Sequence, residues 1–134
     1  SKTVSFWVDN PGCKALIEKE LDGKYGTDAC IISYFTSTGK VIFALDNYIK
    51  NTNVGLGVVG FGQWGSKTIL NHLFTHIFDV MKCKRTSVLI RPDNYKSIKL
   101  AKALGFVHEC DLRGMNLGQW SLLPQDSKYY VDIK

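Results

Sequence analysis

The stretch "GFGQWGSKT", Gly60 to Thr68, holds residue types that cradle phosphate in two different ways. Gly60, Gly62 and Gly65 spell G-x-G-x-x-G, the dinucleotide pattern, while Gly60, Gly65, Lys67 and Thr68 approach a Walker A loop. Both readings fail on chemistry. A Walker A loop places Lys directly after its last Gly, which aims the ammonium at the β/γ-phosphates. Here Ser66 intervenes, and one extra residue at a helix start turns the side chain by about 100°. The apolar strand that should end in a metal-binding Asp is missing too, because "VLIRPD" carries Arg91 and Pro92 ahead of Asp93. The dinucleotide reading needs an acidic residue about 20 positions on, at a strand end, and Asp79 near that spacing falls in a helical pattern. What survives is a strand running into a Gly-rich turn and a helix, whose free N–H groups and dipole favour an anion. A tight turn that holds no ligand is the bland alternative.

Other reactive side chains give weaker patterns. His72 and His76 stand four apart on a helix, with no Glu or third ligand in the H-E-x-x-H manner, so they read as two polar-face histidines and no metal is expected. Cys13, Cys30, Cys83 and Cys110 have no C-x-x-C spacing; four would allow two disulfides, but without a secretory signal they read rather as free, buried thiols. Lys96, Lys99 and Lys102 form a basic stripe at threefold spacing, either a solvated face or a phosphate contact.

Apolar periodicity places these residues on elements. "KTVSFWVD" alternates as a first strand. Asn10 caps a helix with Pro11 in its first turn, Cys13, Leu16, Ile17 and Leu21 on one side, and "LDGKYG" as its stop. "ACIISYF" and "KVIFALD" are strands of a hairpin closed by "TSTG", and "NYIKNTN" reads as a loop into the Gly-rich strand "VGLGVVG". In "SKTILNHLFTHIFDVM", Ile69, Leu70, Leu73, Phe74, Ile77, Phe78 and Met81 make one apolar stripe of a helix over 66–81. A buried strand around "VLIRP", a helix in "YKSIKLAKALGF" with Ile98, Ala101 and Leu104 inward, and strands in "FVHECDL" and "QWSLLP" follow, with "KYYVDI" as a further terminal strand. The order β-α-β-β-β-α-β-α-β-β implies an α/β (α+β) fold: a mixed, mostly antiparallel sheet flanked by helices, with one parallel pair joined by the amphipathic helix.

A chain of 134 residues, 45% hydrophobic, can bury one core and reads as a single domain over 1–134. No apolar run reaches the roughly 18 to 20 residues of a membrane span, so no membrane partner is expected. The N-terminus lacks the apolar block of a signal peptide and reads as that of a cytoplasmic protein that has lost its initiator Met. A net charge of +5 favours anionic partners in a broad sense. Nucleic-acid binding through Lys82, Lys84, Arg85 and the lysine stripe lacks a recognised motif and is the least favoured partner class.

The segment "RTSVLIRPDNYKSIKLAKALGFVHECDLRG" resembles the closing part of GNAT superfamily N-acetyltransferases, with Asn94, Ser97 and Leu104-Gly105-Phe106 matching Asn-x-x-Ser and Leu-Gly-Phe. It is most similar to the branch that acetylates ribosomal-protein N-termini. The resemblance covers residues 55–123 well and the first 50 by element order. It implies a GNAT-like sheet with a splayed parallel pair, acetyl-CoA as cofactor, and direct transfer to an amine on a small molecule, a protein N-terminus or a lysine. Counting back from Asn94 places the family's pyrophosphate loop on Gly60, Gly62, Gln63, Trp64, Gly65, Ser66, Lys67 and Thr68. Val58, Val59 and Gly60 would pair with the pantetheine arm, Asn94 would orient it, and Ser97 would protonate the departing thiolate. The loop is degenerate: the family's Gln/Arg-x-x-Gly-x-Gly/Ala fits no register of "VVGFGQWGSKT" fully. The family's Glu base on the strand before the loop is absent, since "VGLGVVG" has no ionisable side chain; Asp46, His108 or Glu109 could replace it through water, and an acceptor of low pKa such as an α-amino group needs little help. A catalytically inactive GNAT-like binding or structural protein is the alternative implied by these departures. A small viral chain fits either reading.

Overall fold

The computed structural model describes residues 4–131. Its strands are β1 (Ser5–Val8), β2 (Cys30–Phe35), β3 (Gly39–Ile49), β4 (Asn53–Gly62), β5 (Arg85–Ile90), β6 (Val107–Leu112) and β7 (Leu117–Leu122), and its α-helices α1 (Pro11–Leu21), α2 (Lys67–Thr75) and α3 (Tyr95–Leu104). All seven strands join one sheet in the order β1-β2-β3-β4-β5-β7-β6. Every pairing is antiparallel except β4 with β5. The expected mixed, mostly antiparallel sheet with one parallel pair is therefore present.

Alternation sorts each strand's side chains between two layers. Tyr34, Val41, Phe43, Leu45, Val54 and Leu56 meet the apolar stripe of α2 and the inward residues of α3 in the larger core. Ile31, Ile42 and Ala44 meet Ile17 of α1 on the other face, with Tyr25, Val59 and Phe61 beside them. Each helix starts on a side-chain cap: Asn10, Ser66 and Asn94 accept from the amide three residues on, which satisfies one of the orphan donors of the first turn.

Four sequence expectations need correction. The helix expected over 66–81 is α-helical only to Thr75 and finishes as a π turn over His76–Val80. "NYIKNTN" is not all loop, because β3 continues to Ile49 and pairs it with Asn53 across a tight turn. No strand forms over 128–131, where the backbone instead crosses α2, with Asn71 Nδ2 donating to Tyr129 O at 3.1 Å; the rest of "KYYVDI", like the Lys2–Thr3 start of the first strand, lies outside the described residues. The thiols are free, but only Cys83 is buried: Cys13 and Cys30 are half-buried, and Cys110, on the edge strand β6, is exposed.

Candidate functional site

β4 and β5 pair over only three positions, Asn53↔Arg85, Val54↔Thr86 and Gly55↔Ser87. Beyond these the strands part. β4 continues to Gly62 bonded to β3 on one side alone, while β5 continues to Ile90 bonded to β7. The inner edge of β4 from Leu56 to Gly62 is therefore a row of peptide groups facing a gap. The closed end of the gap is held firmly: buried Thr86 Oγ1 donates to Val54 O at 2.9 Å, and Arg85 donates to Asn53 Oδ1 at 3.1 Å while pairing with Glu109. Gln119 Nε2 donates to the same Glu109 carboxylate at 3.2 Å, so one polar chain spans β4, β5, β7 and β6.

α2 follows the carboxyl end of β4, and α3 follows the carboxyl end of β5. Both helix starts thus stand at the open end of the gap, where ligands of parallel strand pairs gather. The three glycines of the turn have different reasons to be there. Gly62 has φ 65°, and a Cβ on it would run into Thr38 O. The indole of Trp64 lies against Gly60 and leaves no room for a side chain, and it meets Phe43 edge-on with ring centroids 6.1 Å apart. Gly65 has neither constraint: a Cβ there meets nothing within 4 Å.

Gln63 is bound to the β2–β3 turn from both sides, its N–H donating to Thr38 O at 3.0 Å and its O accepting from Thr38 Oγ1 at 2.7 Å. Ser66 Oγ accepts from Ile69 N at 3.1 Å as the cap of α2. The amides of Lys67 and Thr68, in the first turn, have no helical acceptor before them. Their side chains and that of Asn71 line a groove of about 550 Å³ with Lys128 and Tyr129. Asn94 Oδ1 accepts from Ser97 N at 3.1 Å, so Asn94 does the work of a cap, and Ser97 sits half-buried one turn before buried Ala101.

The three groups named as stand-in bases are spread apart. Glu109 is tied to Arg85 and Gln119. His108 pairs with Asp111 at 2.9 Å in a groove of about 610 Å³ beside α3, on a strand separated from β4 by β5 and β7. Asp46, on β3, lies directly across from Gly55, the last residue of β4 paired to β5. Burial and then the neighbouring Asp28 raise the Asp46 pKa. Tyr25, whose hydroxyl lies over Gly57, was not singled out from the sequence; its place comes from the loop after α1, which Glu18 fixes by accepting from Tyr25 N at 2.7 Å. The run of alternate glycines in β4 was the available signal, because each missing side chain leaves room for a neighbour's. Among the described residues no group of His, Cys, Asp or Glu is arranged to hold a metal, and no helix is long and apolar enough to cross a membrane.

No protein-family model and no curated protein matches the sequence. Solved structures do match in shape. The N-acetyltransferase PseH of Campylobacter jejuni, solved with acetyl coenzyme A, superposes with a TM-score of 0.63 at 14% identity, over 90% of this chain and 99% of that one. A mutant of the spermidine N-acetyltransferase SpeG of Vibrio cholerae gives a TM-score of 0.70 at 13% identity, over 94% and 95% of the two chains. This is the GNAT fold. Agreement at such low identity comes from the course of the backbone, and in the GNAT fold the parting of one parallel pair within an otherwise antiparallel sheet is the feature that makes a slot through the middle of the molecule.

Proposed function

We propose that the protein is an acetyl-CoA-dependent N-acyltransferase that passes an acetyl group directly to an amine in a ternary complex. The observation that carries this reading is the unpaired inner edge of β4, Leu56 to Gly62, leading to the capped start of α2. The residues fit the cofactor. Val58, Val59 and Gly60 offer peptide groups to an amide-bearing pantetheine arm, as an added strand would use them. The first-turn amides at Lys67 and Thr68 and the approach past Trp64, Gly65 and Ser66 suit a pyrophosphate, with the exposed Lys67 adding charge. Gly65 keeps that approach open although its own fold does not demand a glycine.

Acetyl-CoA supplies an activated thioester. Asn94 holds the start of α3 at the far wall of the gap, and the Ser97 hydroxyl gives a proton to the leaving sulfur. The acceptor is an amine of a small molecule or of a polypeptide; spermidine, named for SpeG, is a first probe, beside a peptide with a free N-terminus. Calorimetric titration with acetyl-CoA, followed by thiol release in the presence of each amine, tests the proposal. Saturable binding and amine-dependent thiol release are expected. Binding without transfer to any amine would establish the alternative of an inactive binding protein, for which the engaged Gln63 amide and the absence of an ionisable side chain on β4 speak.

A further inference from the structure

The surface of β4 turned toward α1 carries an arrangement that the reading above leaves unused. Asp46 is the last regular residue of β3 before a register shift between Asp46 and Ile49, a bulge of the kind that re-aims a side chain. Its carboxylate leans across the strand onto Gly55, where a Cβ would stand 2.7 Å from Asp46 Oδ1. Gly55 is also where β4 leaves β5, so the carboxylate stands at the throat of the gap, within one or two residue rises of about 3.3 Å from the first unpaired peptide group. Next along β4, Gly57 leaves room for the Tyr25 hydroxyl in the same way. Burial first, then Asp46 and Glu18, raise the Tyr25 pKa, which keeps the phenol protonated, a hydrogen-bond donor beside the carboxylate rather than a second base.

We infer that Asp46 is the proton acceptor for the amine substrate, a catalytic carboxylate delivered from β3 into the space that Gly55 leaves on β4. The inference rests on the acyltransferase reading. An incoming ammonium gives one N–H proton to Asp46, which passes it to water. The freed lone pair forms a bond to the carbonyl carbon of the acetyl thioester, the carbon–sulfur bond breaks, and sulfur leaves with that electron pair. Ser97 gives sulfur its proton and the second N–H proton, passed on through water, restores the Ser97 hydroxyl, so amine and thioester become amide and thiol. The groups facing Asp46 are Asn47, Asp28 and Tyr25, with Glu18 behind Tyr25. Burial first, and then the neighbouring Asp28 carboxylate, make Asp46 a stronger base than an ordinary aspartate. Glu109 is tied to Arg85, and His108 lies beyond β5 and β7, so neither competes for the throat.

The test is Asp46→Asn in the full chain, with spermidine and a free N-terminal peptide as amines. Acetyl-CoA affinity and melting temperature are expected to stay at wild-type values, while kcat/KM at neutral pH falls by about 100-fold or more. The limb that titration of Asp46 gives the wild-type profile should vanish, leaving only the rise toward the amine's own pKa, so that the deficit shrinks as pH approaches that value. In the free protein, NMR of the Asp46 carboxyl carbon should give a midpoint above that of an exposed aspartate, moving down in Asp28→Asn. A D46N protein with the wild-type rate and profile overturns the assignment, and so does a loss of acetyl-CoA affinity equal to the loss of rate, or a carboxyl titrating as an exposed aspartate does. A wild-type protein that takes up no acetyl-CoA overturns the acyltransferase reading and this assignment with it, an outcome distinct from the others because it appears before any variant is made.

Discussion

At the scale of residues, the loop shows how little a glycine pattern says until each glycine's neighbour is known. Gly62 and Gly60 are required by the chain itself, through a left-handed backbone at the Thr38 carbonyl and through the Trp64 ring. Gly65 is not, and that makes it a clean probe. Gly65→Val should leave the melting temperature unchanged and weaken acetyl-CoA binding at least tenfold by calorimetry; full binding by the variant would remove the cofactor from this turn. Asn94 and Ser97 separate in the same spirit. Asn94→Ala should cost about 1 kcal/mol in denaturant unfolding, through the lost contact to Ser97 N. Ser97→Ala should keep stability and cofactor affinity yet lower kcat, as expected when a contact made in the transition state is lost. A wild-type kcat would pass the proton to solvent water. The spacing of Asn94 and Ser97 was legible in the sequence, as was the turn from Gly60 to Thr68. The seat of Asp46 was not, because its distance from Gly55 depends on the β3–β4 register, and no local pattern encodes a cross-strand partner nine positions away.

At the scale of elements, apolar periodicity identified what buries a face and missed what interrupts one. The α2 stripe was legible, and Ile69, Leu70, Leu73, Phe74, Ile77 and Phe78 are all buried. The π turn that follows Thr75 leaves that stripe intact, so the pattern carries no trace of it. Polar Asn47, Lys50, Asn51 and Thr52 made the end of β3 look like a loop, yet Tyr48 anchors it by donating its hydroxyl to Met81 O at 2.9 Å. The aromatic pair in "KYYV" resembles strand composition, but Tyr130 instead packs on Phe78 with ring centroids 5.0 Å apart and donates to Asp79 Oδ1 at 2.6 Å. His76, at the π turn, has its pKa lowered by burial and then by His72. A folded-state pKa below the unfolded value means that the unfolded chain takes up the proton first. Stability from this site is complete above the ordinary histidine value of 6.5 and is lost as pH falls through it toward the lowered folded value. Chemical denaturation between pH 7.5 and 5 should follow that slope, and His76→Gln should flatten it; an unaltered slope in the variant would assign the effect elsewhere.

At the scale of the whole molecule, the element order alone implied a mixed sheet with one parallel pair. What it did not contain was how short that pairing is, since glycines and apolar residues occur both in the three paired positions of β4 and in the seven that part from β5. The net charge of +5 acts at this scale as well. Acetyl-CoA affinity should fall as salt rises through the physiological range, where the screening length is about 8 Å, and Lys67→Ala should both weaken binding modestly and reduce that dependence. Affinity indifferent to salt would confine the charge to solubility.

The one-sided bonding of β4 also has a consequence in time. In an antiparallel pairing successive amides point to alternate sides of the strand. From Leu56 to Gly62, every second amide therefore bonds to β3 and its neighbours point into the gap. Deuterium uptake along this strand should alternate slow and fast, residue by residue, and the alternation should stop at Gly55, where the β5 contact begins. A molecule seated against that edge would erase the fast half of the pattern and leave the slow half unchanged.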